Sequence, residues 1–66
     1  MEIRLNGEPT SLPSPLTVAD LLARLRLSGR RIAVELNGEV VPRSRWSETY
    51  LKDQDRAEIV KAVGGG

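Results

Sequence analysis

Residues Leu16–Gly29 read LTVADLLARLRLSG, and the fold of the chain turns on them. Val18, Leu21, Leu22 and Leu25 fall at i, i+3, i+4 and i+7, the spacing that lines one face of an α-helix. Thr17 stands before the pattern as an N-cap, and Asp20 three residues later makes a variant of the capping box. Asp20 and Arg24 lie one turn apart on the polar side. Gly29 reads as the stop, because glycine readily takes the left-handed conformation that ends many helices. This is the one helix of the chain, so it has to cover whatever sheet the remaining residues form.

On its N-terminal side lies EIRLNGEPTSL, Glu2 to Leu12. Ile3 and Leu5 alternate with Glu2 and Arg4, a strand with one buried face. Asn6-Gly7 supplies the positive φ angles of a type I′ hairpin turn. Pro9 has no N–H to donate, which puts the returning strand at a sheet edge. Pro13 to Pro15 form a stiff connector into the helix.

A second hairpin follows in RIAVELNGEVVPR, Arg31 to Arg43. Ile32, Val34 and Leu36 alternate, Asn37-Gly38 turns the chain, and Val40-Val41 return before Pro42. Arg43–Leu51, RSRWSETYL, suggests a short helical turn or irregular segment that packs Trp46 and Leu51. KDQD is a polar turn, and Ala57–Val63, AEIVKAV, is the last strand. The order ββαββ, irregular segment, β describes an α+β domain. One helix packs on one face of a mixed four- to five-stranded sheet, the β-grasp or ubiquitin-like arrangement. The expected domain is 1–63, followed by a flexible glycine tail at 64–66. The first and last strands should be parallel neighbours, burying Ile3, Leu5, Val18, Leu21, Leu22, Leu25, Val34, Leu36 and Ile59. With one face of the sheet uncovered, Val60 and Ala62 point outward beside the tail and form a docking surface for a partner.

Composition removes several classes of function. The 66 residues include no cysteine and no histidine, so disulfides, thiolate metal sites and the commonest general base are all absent. Ten basic residues against nine acidic ones give none of the basic excess of a nucleic-acid binder. No apolar run is long enough to span a membrane, and MEIRLNGE does not read as a secretory signal, which leaves the cytoplasm as the expected compartment. Asp53 and Asp55 read as solvated turn formers rather than an acid/base pair. Arg30-Arg31 and Arg43/Arg45 read as solvated side chains that could meet a protein partner. No phosphate-cradling glycine loop opens the helix, and no metal site or cofactor is expected.

The remaining feature is KAVGGG, Lys61 to Gly66. Glycines cost backbone entropy and pack nothing, so such a tail is either inert, as a linker remnant would be, or used for its backbone. Three extended residues reach about 10 Å and pass through narrow channels that a Cβ would block. A carboxylate on Gly66 is unreactive until activated, and adenylation by ATP would make it an electrophile.

The segment ELNGEVVPRSRW (Glu35 to Trp46), the turn and strand LKDQDRAEIVKAV (Leu51 to Val63) and the glycine end resemble the ThiS family, the sulfur carriers of thiamin biosynthesis. The likeness spans essentially the whole chain; Gln54 departs from it, standing where that family usually has glycine. The resemblance implies a carrier rather than an enzyme. Gly66 would be adenylated by an E1-like (ThiF-like) enzyme that uses ATP, then converted to a thiocarboxylate. Gly64 and Gly65 would thread the partner's active site. A sulfur donor protein would supply the sulfur, and a ThiG-like thiazole synthase would receive it. The same fold and glycine end also occur in the small subunit of molybdopterin synthase, in ubiquitin-like protein modifiers and in plain interaction modules.

Overall fold

The computed structural model describes residues 1–61. Strands β1 (Glu2–Leu5) and β2 (Glu8–Ser11) come first, then helix α1 (Val18–Arg24). After it come β3 (Ile32–Leu36), β4 (Glu39–Val41), a 3₁₀ turn at Arg43–Arg45 and β5 (Arg56–Lys61). The five strands form one sheet in the order β2-β1-β5-β3-β4. β5 therefore enters the middle, parallel to β1 and antiparallel to β3. Both hairpins close where expected: Asn6 and Asn37 have φ of 50° and 53°, and the glycine after each is also left-handed. Pro9 lies in the edge strand β2, opposite Arg4. This is the β-grasp architecture.

The helix begins as the sequence dictates. Asp20 N–H donates to Thr17 Oγ1 at 3.0 Å, and Thr17 N–H donates back to Asp20 Oδ2 at 3.1 Å, closing the capping box. The remaining exposed amides of the first turn are met from outside the helix. Val18 N–H donates to the Thr49 carbonyl and Ala19 N–H to the Trp46 carbonyl. The irregular segment expected at 43–51 thus seals the helix N-terminus while burying Trp46 and Leu51. Trp46 Nε1–H donates to the Val41 carbonyl at 2.9 Å, so its polar atom is satisfied as the ring is buried.

The helix ends earlier than Gly29. Leu25 is its C-cap, and Arg26 takes the left-handed conformation with φ 60°. Leu27 N–H donates to the Leu22 carbonyl at 2.8 Å and Arg26 N–H to the Ala23 carbonyl at 3.1 Å, the two bonds of a Schellman motif. The early stop explains the one helix residue that the periodicity misplaced. Leu25 is 38% exposed, and Leu27 packs against the core in its stead. Gly29, at φ 80°, serves a later turn.

Ile3, Val18, Leu21, Leu22 and Val34 are the largest fully buried side chains, joined by Leu16, Ile32, Trp46, Leu51 and Ala57. Leu5, Leu36 and Ile59, expected in the core, are only half-buried. Seven helical residues span about 10 Å, too little to roof the whole sheet. No helix among the described residues is long and apolar enough to cross a membrane.

Candidate functional site

With α1 on one face, pairing and alternation determine what the other face presents. Strand pairing sets Arg4 beside Arg56, Glu58 opposite Glu35, and Val60 opposite Ala33. Along β5 the open face thus runs from a basic row through an acidic row to an apolar row. Val40 pairs with Glu35 and so places a further exposed apolar side chain beside the acidic row. Val60 is 56% exposed and Val40 65% exposed, whereas Ala57 on the helix face of β5 is fully covered. Val60 points outward as its strand position requires, at the end of β5 from which the chain continues toward the glycines.

The other expected site residues, Ala62 and Gly64 to Gly66, lie outside the described residues. Sequence reasoning missed Ala33, which pairs with Val60, and Val40, which pairs with Glu35, as apolar residues of the open face. Their alternation was visible, but which strand lies beside β5 depends on the sheet order, which a strand pattern does not encode.

At the opposite end of β5, Asp53 and Asp55 hold the turn. Asp55 is not the solvated residue that the KDQD turn suggests: it is 8% exposed. Its Oδ2 accepts from the Lys52 N–H at 2.7 Å and its Oδ1 from Asn37 Nδ2 at 3.0 Å. Burial is possible because both oxygens have donors. Asp53 is exposed, as expected, and its Oδ1 accepts from the Glu2 N–H at 2.7 Å. That bond, helped by the Gln54 side chain, holds the Asp53 carboxyl below its ordinary value. Both carboxylates are occupied with backbone amides and face different partners, so they form no acid/base couple. Among the described residues no group of His, Cys, Asp or Glu is arranged to hold a metal ion.

Comparison with known proteins adds to this geometry. The ThiS family profile matches residues 3–66, so the match runs through all three closing glycines. The sulfur carrier protein ThiS of Bacillus subtilis is 38% identical over 65 residues, covering 97% of this chain and 98% of that protein. A thiazole synthase of Paramagnetospirillum magneticum is 39% identical over 66 residues, but this chain corresponds to only 20% of it. Among solved structures, the thiamine biosynthesis protein ThiS of Geobacter metallireducens superposes with a TM-score of 0.86 at 36% identity, with both chains covered completely. The fold, the family profile and these relatives agree: the chain belongs to the ThiS family, with the β-grasp fold of that family.

Proposed function

We propose that the chain is the sulfur carrier that supplies thiazole formation in thiamin biosynthesis, with Gly66 as the point of modification. A carboxylate oxygen of Gly66 attacks the α-phosphorus of ATP on an E1-like (ThiF-like) enzyme, and pyrophosphate leaves. Hydrosulfide, HS⁻, released at the sulfide oxidation level by a sulfur donor protein, then attacks the acyl carbon; AMP leaves with the electrons of the C–O bond, the S–H proton is lost, and the thiocarboxylate results. Thiazole synthase (ThiG-like) takes the sulfur from it. In this scheme the chain is a substrate of its partners and not an enzyme, and ATP is consumed by the activating enzyme.

The observation that carries this reading is the family match across residues 3–66, glycines included. Two features support it. A related segment occurs within a thiazole synthase polypeptide, which links such a segment to the enzyme that would consume the sulfur. The chain also has no cysteine, so no internal thiol competes for the activated acyl group. Gly64 and Gly65 would pass through a partner's channel without side chains to obstruct it.

The test is genetic. Cells lacking this chain should require an external source of the thiazole moiety, and the full-length chain should remove that requirement. A requirement relieved by molybdenum-cofactor precursors instead would assign the carrier to molybdopterin synthesis.

A further inference from the structure

The end of the molecule from which the chain runs on toward its glycines is also its cationic end. Residues 21–34 carry four arginines and no carboxylate. After the Schellman turn, Arg30 and Arg31 lead into β3, whose first residue Ile32 pairs with Lys61, the last residue of β5. Leu27, Arg30, Arg31, Ile32 and Lys61 line a hollow of about 290 Å³, with the two apolar residues among three cations. Arg43 joins them: its Nη2 donates to the Arg30 carbonyl at 3.0 Å, and its guanidinium lies 5.0 Å from the centroid of the Trp46 ring. That bond and stacking fix the fourth charge in place. Arg30, Arg31, Arg43 and Lys61 are all exposed. Among the described residues the one side-chain ion pair within 4.0 Å is Arg45–Glu48, so no carboxylate of those residues is in direct contact with this group.

Chain length ties this group to the site of modification. Residues 62–66 can extend at most about 17 Å beyond Lys61. Any protein that engages Gly66 must therefore bring its own surface close to the hollow. Cations around an apolar floor repel a basic surface and attract an acidic one. The cations come from a loop, a 3₁₀ turn and a strand end, all four are exposed, and Arg43 lies outside the hollow that the other three line. That arrangement suits a stretch of acidic protein surface better than a single small anion.

We propose that Arg30, Arg31, Arg43 and Lys61 form a collar that docks an acidic surface of the protein acting on Gly66, steering the tail into its site. This rests on the carrier reading for the identity of that protein, but the collar can be tested without it. Charges on the rim of an interface act mainly on the association rate and on its salt dependence.

Two experiments on the full chain test it. In the first, an oligoglutamate peptide is titrated into the chain and backbone amide shifts are followed by NMR. Shifts concentrated at residues 27–32 and at Lys61 support the collar; shifts spread over the surface, or equal binding by inorganic phosphate, overturn it. In the second, association with the activating enzyme is measured for Arg30→Gln/Arg31→Gln/Lys61→Gln. Arg43 is spared because it also covers Trp46. The triple variant should associate about 10-fold more slowly at low ionic strength, with the difference vanishing at about 0.5 M salt. Arg4→Gln/Arg56→Gln/Lys52→Gln, which removes the same charge at the other end of β5, should associate nearly as fast as the parent. Equal losses in the two triples would show that only net charge matters, against the collar. If the peptide maps to the collar and the first triple associates slowly while Gly66 is adenylated but never takes up sulfur, the carrier reading fails and the collar stands. If Gly66 is converted and the first triple associates like the parent, the collar fails alone.

Discussion

Asn37 Nδ2 donates to Oδ1 of the buried Asp55 at 3.0 Å, joining the second hairpin turn to the residue just before β5 begins. The same Asn37 accepts from the Arg56 N–H through Oδ1 at 2.9 Å, and its own N–H donates to the Arg56 carbonyl at 2.7 Å. Asn6 acts likewise from the other hairpin, accepting from the Ile59 N–H at 2.8 Å. The two asparagines that turn the hairpins thus also clamp the central strand from either side.

Asn37→Asp keeps the turn but replaces a donor with a carboxylate facing Asp55. We expect a loss of about 2 kcal/mol at neutral pH, from one broken charge-assisted bond and a new repulsion. Asn6→Asp keeps its acceptor and should cost less than half as much. Urea unfolding of both variants checks the ranking; equal losses would contradict the clamp described for Asn37.

Arg26 and Gln54 have φ of 60° and 74° without being glycine or asparagine. Left-handed backbone costs an ordinary residue about 1–2 kcal/mol, partly offset in a glycine replacement by the greater freedom of the unfolded chain. Arg26→Gly and Gln54→Gly should each stabilise the domain by up to about 1 kcal/mol, and Gln54→Val should destabilise it. Thermal unfolding tests this. A fall in Tm for both glycine variants would show that neither position is strained.

Much of this architecture was legible because it rests on local rules. The Asn-Gly turns, the Thr17–Asp20 box and the placing of Pro9 at an edge follow from backbone chemistry within a few residues. Three features were not legible, each for a reason that acts at a distance or against propensity. Arg26 ends the helix although Gly29 is the better left-handed residue, because this lets Leu27 reach the core. Asp55 is buried because Asn37, from the other hairpin turn, supplies a donor. The neighbours of Val60 on the open face depend on sheet order, which places β3 beside β5.

The Asp53 carboxyl, held low by the Glu2 N–H and then by Gln54, contributes to acid sensitivity with a definite sign. A folded-state pKa below the unfolded one gives stability that is present above the unfolded value of 3.8 and is lost as pH falls through the lower, folded value. Asp53→Asn should therefore be less stable than the parent at neutral pH, and the gap should close well below pH 3.8. A gap that stays constant through the acid range would mean that the Asp53 charge is not linked to folding.

Val60 offers a direct probe of the open face. It is exposed and opposite Ala33, so Val60→Asp should cost about 1 kcal/mol or less, mainly through poorer strand propensity. Affinity for the activating enzyme should fall about 10-fold or more, since the substitution places a charge on an apolar contact. Isothermal titration checks this, and unchanged affinity would remove the apolar row at Val60 from the docking surface.

Whether Gly66 is used for its carboxylate is decided by a paired mass measurement. The chain and its Gly66 deletion are incubated with the activating enzyme, ATP and the sulfur donor, and intact masses are recorded. The deletion should unfold at the parent's temperature, because it removes one glycine and no side chain that could pack. It moves the carboxylate back by about 3.3 Å or more, against a reaction that needs its atoms about 3–3.5 Å apart. The parent should gain the mass of sulfur in place of oxygen, and the deletion variant should not. Full conversion of the deletion variant, or none of the parent, would mean that the glycine end is not the working part of this chain.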